Sequence, residues 1–201
     1  KYALRHINTA NFTFHDTPSD VSSTPGFRDA GFDNFGPAYQ DWHDADTLMM
    51  CGTDPYETKT ILWNQWIMPA IQGGQKTIMM VPRRTAGVAY AEQNGGIWLD
   101  VNPGTDLLVV NAIARTIAEN NWQDADWIKN WVNDKWGSNS GFGQGTRNTP
   151  WQWRTTWGKF QTKGYDDWKK WLLSQKEFTV ENAAKVSGVD AAKIRTAAEW
   201  L

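Results

Sequence analysis

Three short clusters carry the residues of this 201-residue chain whose types could do chemistry. They are Gly52-Thr53-Asp54-Pro55-Tyr56-Glu57-Thr58, then Pro82-Arg83-Arg84-Thr85, then Asn102-Pro103-Gly104-Thr105-Asp106. An ionised carboxylate only accepts hydrogen bonds, so Asp54, Glu57 and Asp106 suit the N1 and N2 donors of guanine or ribose hydroxyls. The guanidinium groups of Arg83 and Arg84 match a diphosphate in charge and fork geometry. Gly52 lets the backbone turn tightly at its cluster. Each cluster taken alone also has a plainer reading, a well-capped loop with solvated arginines. Their recurrence favours one shared nucleotide crevice.

The elements that must position these clusters are legible beside them. Short apolar runs precede each one: Leu48–Cys51, Thr77–Val81 and Ile97–Val101. Runs of this kind fit fully buried strands of a parallel sheet. Asp54 can cap a helix, Pro55 suits its first position, and Glu57 stands where a capping box wants a carboxylate. Helical stretches follow the other two clusters, over Ala86–Glu92 and Leu107–Asn120. A repeat of roughly 25 to 30 residues fits successive βαβ units with right-handed crossovers. The pattern predicts an α/β fold: a doubly wound, mostly parallel, Rossmann-like sheet with flanking helices. In such folds ligands bind at the carboxyl ends of the strands, where free backbone amides collect.

The rest of the chain is organised around this core, with expected divisions at 1–46, 47–135, 136–164 and 165–201. Residues 1–46 comprise a polar opening with His6 and His15, a long loop over 17–37, and a short helix over Ala38–Asp46. Phe27, Phe32 and Phe35 argue against disorder in that loop. His43 reads as solvated, His6 as a satisfied, partly buried histidine, and Cys51 as an inert buried thiol. Asp124–Asp134 carries apolar residues at 127, 128, 131 and 132, the pattern of an amphipathic helix. Residues 136–164 are rich in Gly and Trp. They read either as an excursion lining a funnel or a neighbouring domain, or as a surface loop. Tyr165–Gln175 is a helix, and 179–188 and 190–201 form a helical hairpin closed by Gly188.

Composition narrows the function classes. Twenty Lys and Arg against 22 Asp and Glu give a net charge of −2 with the basic residues scattered, so there is no nucleic-acid footprint. No apolar run approaches the ~18 residues of a membrane span. One Cys excludes a disulfide framework or a cysteine-ligated iron–sulfur cluster built from these residues alone. P-loop, zinc, HExxH, GxSxG and GxGxxG patterns are absent, and no signal peptide is legible. The chain opens without Met and stops inside a helical pattern, and its 14 Trp are many for an isolated domain. It is expected to be a piece of something larger.

The three clusters in their order, with Val186-Ser187-Gly188-Val189-Asp190 and Ile194–Trp200 behind them, resemble the dimethyl sulfoxide reductase family of molybdenum oxidoreductases. Within it the chain is most similar to the arsenite oxidase large subunit. The resemblance implies a molybdenum bis(molybdopterin guanine dinucleotide). One guanosine of it would be met by Gly52, Thr53, Asp54, Glu57 and Thr58, then Pro82, Arg83, Arg84 and Thr85, then Gly104 and Asp106. Arg5-His6-Ile7-Asn8-Thr9-Ala10 is similar to the segment that passes the metal. On that match His6 falls on a substrate-pocket histidine, and Ala10, followed by Asn11, falls where other members place a metal ligand. Alanine ligates nothing, so no protein metal ligand is implied. The resemblance further implies two-electron oxygen-atom transfer on a small oxyanion and an iron–sulfur cluster ligated elsewhere in the intact subunit. It also implies a Rieske-type small subunit, a c-type cytochrome or similar carrier, and a periplasmic location. Phe14 stands where arsenite enzymes carry a pocket glutamate, and Val81 where the family has an Asp. Arsenite is the leading expected substrate, with iodate or another oxyanion next. A stand-alone Rossmann-like nucleotide-binding module without redox chemistry is the competing class. The isolated stretch is expected to be inactive.

Overall fold

The computed structural model describes residues 39–131, 137–139 and 161–201. The chain divides into two compact units, one of Gly36–Trp136 with Thr162–Leu201, the other of Lys1–Phe35 with Gly137–Gln161. Of the second unit, the described residues are strand backbone at 137–139 and 161.

The larger unit is built on a three-stranded sheet, β1 (Thr47–Cys51), β2 (Lys76–Met80) and β3 (Ile97–Leu99), in the order β1-β2-β3. Both pairings are parallel, with Cys51 opposite Met80 and Met80 opposite Leu99. The three strand ends therefore lie in one row, and the three clusters leave the sheet from one edge. β2 is the fully buried strand that its continuous apolar run requires, Ile78, Met79 and Met80 all being 0–1 % exposed. β1 departs from expectation. It lies at the edge of this sheet, only Met50 is buried, and Cys51 is exposed. An apolar run alone does not distinguish a central strand from a strand covered on one side.

Helices cover both faces, as the doubly wound pattern predicts. On one face lie α1 (Pro55–Thr58), α2 (Thr60–Leu62), a π-turn over Trp63–Ile67, α3 (Met68–Gln72) and α4 (Ala86–Gln93). There Trp63, Ile67, Ile71, Val88 and Ala91 pack with Met50, Met79 and Val81. The π-turn precedes Pro69, which cannot donate to the helical ladder and crowds the carbonyl one turn back. α5 (Asp106–Asn120) and α6 (Ala125–Trp131) follow, with Asp124 Oδ1 accepting from Trp127 N at 2.8 Å. Strands β4 (Gly137–Asn139) and β5 (Gln161–Lys163) form a separate two-stranded sheet. The chain closes with α7 (Gly164–Ser174), α8 (Val180–Ser187) and α9 (Ala191–Trp200). The opposite sheet face buries Ile78, Met80 and Leu99 under Val109 and Ile113 of α5, Val180 and Ala183 of α8, and Ile194 and Ala197 of α9.

Local signals explain the boundaries. Thr179 and Asp190 cap α8 and α9 through their side chains, and Gly188 ends α8 at φ +83°. The described part of the helix expected over Ala38–Asp46 is tighter, a 3₁₀ turn over Tyr39–His43, and exposed His43 meets Trp66 edge to face at 5.5 Å. Among the described residues no helix is long and apolar enough to cross a membrane.

Candidate functional site

The first corner begins at Gly52, whose amide donates to Met80 O at 2.9 Å and whose φ of +67° continues the chain away from the sheet. A Cβ at Gly52 would meet nothing within 4 Å, and the same holds at Gly104, φ +84°, in the third corner. Both left-handed corners thus border open space, where a ligand can approach bare backbone. Thr53, Glu57 and Thr58 are exposed around the first corner. Thr58 Oγ1 donates to Asp54 O at 2.8 Å. Asp54 caps α1, with Oδ1 accepting from Tyr56 N at 2.9 Å, and the residue is buried. Glu57 does not close the expected capping box. Its Oε2 accepts from Arg83 Nη2 at 2.7 Å across the gap to the second corner.

In the second corner Pro82, Arg83 and Arg84 are exposed and Thr85 is buried. Thr85 Oγ1 accepts from Val88 N at 3.1 Å and caps α4. Arg84 turns back along its own helix, its Nη2 lying 3.0 Å from Glu92 Oε2. Arg83 is therefore the arginine that joins two corners, while Arg84 serves the flank.

The third corner is braced from the helical hairpin. Asn102 N donates to Ser187 O at 2.8 Å, and Thr105 Oγ1 donates to Asn102 O at 2.7 Å. Ser187, fully buried, donates to Ala183 O at 2.6 Å and accepts from Val189 N at 3.2 Å, fixing the end of α8 on which the corner rests. Asp106 is partly exposed in the first turn of α5, where the helix dipole favours a carboxylate. It is within electrostatic reach of β1: the Cys51 thiol is pushed above its ordinary pKa, first by burial of part of its surface and then by the Asp106 charge.

All three clusters thus come together at one sheet edge. Gly52, Thr53, Glu57, Thr58, Pro82, Arg83, Gly104 and Asp106 form its accessible part, and Asp54 and Thr85 lie beneath it. His6, Ala10, Asn11 and Phe14 lie outside the described residues, as does the whole of 140–160. Cys51 differs from the expected buried thiol because β1 ends at the open edge. Sequence reasoning did not single out Gly87, which lies against the Asp54 carboxylate, and it named Asn102 and Gly188 without foreseeing that they meet and tie the third corner to α8. Contacts across helices leave no local signal; only the small-residue start of α4 hinted at close approach. Among the described residues no group of three or more His, Cys, Asp or Glu could hold a metal ion.

The family model for molybdopterin oxidoreductases matches residues 1–192. The chain belongs to that family. It is 48 % identical over its full length to the iodate reductase subunit IdrA of Denitromonas iodatirespirans and 44 % identical to that of Pseudomonas sp. strain SCT. Identity to the arsenite oxidase subunit AioA of Herminiimonas arsenicoxydans is 24 %, again over the full chain. In each case the chain spans 22 % of the relative's length. Among solved structures, acetylene hydratase from Pelobacter acetylenicus superposes with a TM-score of 0.59 at 19 % identity, over 89 % of this chain and 19 % of that one. That likeness concerns the fold.

The family implies a molybdenum–molybdopterin cofactor, and the residues present fit a nucleotide-bearing form of it. Gly52 and Gly104 leave room for close approach, Arg83 offers a charged fork, and Asp106 and Glu57 offer acceptors.

Proposed function

We propose that this chain forms the guanosine-binding part of the catalytic subunit of a bis(molybdopterin guanine dinucleotide) enzyme acting on a small oxyanion, iodate before arsenite. The observation that carries the proposal is the register Cys51–Met80–Leu99, which brings three amide-rich corners to one edge. Gly52 and Thr53 would lie against the phosphates, Arg83 would pair with them, and Asp106 would accept from the base. Glu57 and Thr58 would face the ribose, while Arg84 and Thr85 support the flank. When bound, the molybdenum–pterin group supplies two-electron oxygen-atom transfer. The chain's own residues bind and orient its nucleotide arm and hold acceptor charge where donors of the base will sit.

The order of substrates follows the relatives. Identity to two iodate reductase subunits is 48 % and 44 %, about twice the 24 % to the arsenite oxidase subunit. Phe14 in place of a pocket glutamate favours the same order, since a phenyl ring neither takes a proton nor orients a hydroxyl. His6 would face the oxyanion, with Ala10 and Asn11 beside the metal. An iron–sulfur cluster, a Rieske-type small subunit, a c-type carrier and a periplasmic location complete the reading. Arsenite oxidation is the second reading, carried by the full-length match at 24 %.

Steady-state assays of the full-length protein with iodate and with arsenite, beside molybdenum and guanine-nucleotide analysis, test the proposal. Iodate turnover with bound guanine nucleotide is expected. A protein that carries neither molybdenum nor guanine nucleotide overturns it in favour of a plain nucleotide-binding module.

A further inference from the structure

Asp54 is 7 % exposed, and its Oδ2 is buried with no hydrogen-bond donor among the described residues. The carboxylate lies flat against Gly87, the second residue of α4. A Cβ built on Gly87 would stand 2.8 Å from Oδ2 and 2.9 Å from Cγ, and closer still to Oδ1. Real side chains do not approach so closely. Asp54 could yield only by giving up Oδ1 as the acceptor for Tyr56 N, the cap of α1. The first turn of a helix carries amides without intrahelical acceptors and a partial positive charge, so a carboxylate there is electrostatically favoured. The same two helices are also joined by Tyr56, Trp63 and Tyr90, an edge-to-face series at 5.5 and 5.7 Å running from α1 to α4. At the exposed surface, Glu57 and Arg83 pair between the same two corners.

We propose that Asp54 and Gly87 form a clasp that sets the spacing of the first two corners, with Asp54 a positioning residue for the nucleotide and not its direct ligand. The nucleotide half of this inference rests on the function proposed above; the clasp itself rests on the packing of Asp54 against Gly87. A cut of one methyl group at 87 is what admits the carboxylate. The first and second corners can then approach as closely as Arg83 and Glu57 require. The unpaired Oδ2 is tolerated because the positive end of α4 lies beside it.

The sign of one substitution separates the clasp from an ordinary helical glycine. Glycine in a helix normally gains stability on replacement by alanine, through the entropy of the unfolded chain. In the full-length protein Gly87→Ala is instead expected to lower Tm and to cut bound guanine nucleotide about tenfold under conditions where the protein stays folded. Nucleotide is measured chromatographically after acid release. Asp54→Ser keeps a capping oxygen and removes the clash. The double variant Asp54→Ser/Gly87→Ala should therefore melt near Asp54→Ser alone and not at the sum of the two losses. A destabilised control away from both corners, Ile71→Val, should lower Tm without changing nucleotide content. A raised Tm in Gly87→Ala, or additive losses in the double variant, overturns the clasp. Unchanged nucleotide in a destabilised Gly87→Ala overturns its positioning role. Absence of guanine nucleotide from the unmodified protein overturns the function proposed above, while the melting cycle still decides the clasp.

Discussion

At the scale of the residue, the accessible edge holds two contacts whose energies are small and whose geometry matters more. Arg83 and Glu57 are 68 % and 40 % exposed, so their pair contributes at most about 1 kcal/mol to stability. Glu57→Gln is expected to leave Tm nearly unchanged while freeing Arg83, and Arg83→Ala to weaken binding of guanosine diphosphate to the full-length apoprotein. Calorimetric titration checks both; equal affinities in the two variants would remove Arg83 from the site. Cys51 gives a second probe. Burial and then Asp106 hold its thiol pKa above the ordinary value, so less thiolate is present near pH 8 than in a free cysteine. Alkylation by iodoacetamide should therefore start slowly and accelerate at higher pH than usual. Asp106→Asn should lower that pKa and speed the reaction at fixed pH. The sign for stability follows from the raised pKa: any contribution is present below the ordinary thiol pKa and lost as pH rises through the folded value.

At the scale of the element, the third corner depends on the helical hairpin of α8 and α9. Gly188 holds φ +83°, and a Cβ there would stand 3.2 Å from Asn102 Nδ2. Gly188→Ala is expected to cost about 1–2 kcal/mol from the left-handed backbone alone, with the push on Asn102 added to it. Urea unfolding measures the loss. Hydrogen exchange should show faster opening at 102–105 than in the unmodified protein, because Asn102 N donates to Ser187 O. Thr85 tests the second corner at the same scale. Removing its Oγ1 from Val88 N in Thr85→Ala should cost about 1 kcal/mol.

At the scale of the whole molecule, β2 carries two cores back to back, with Ile78 and Met80 on one face and Met79 on the other. Ile78→Ala should cost about 2–5 kcal/mol, since a buried cavity adds to the lost transfer energy. The cavity would lie in the core and not at the corners, so bound nucleotide should be retained in the folded variant while Tm falls, as at Ile71→Val on the other face. A folded Ile78→Ala that loses its nucleotide would show that the corners depend on core packing and not on their local contacts alone.

The sequence alone determined the strand-turn-helix units, their caps and the order of their chemistry. Apolar periodicity, Asp54-Pro55, Thr179, Gly188 and Asp190 act over a few residues, and the observed elements start or stop at them. It did not determine what lies opposite what. Whether β1 is central or at an edge, whether Cys51 is covered, and that Asp54 meets Gly87 while Glu57 meets Arg83 depend on packing between segments far apart in the chain. The parallel register, set by burying both faces of β2 at once, is what turned three separate loops into one edge.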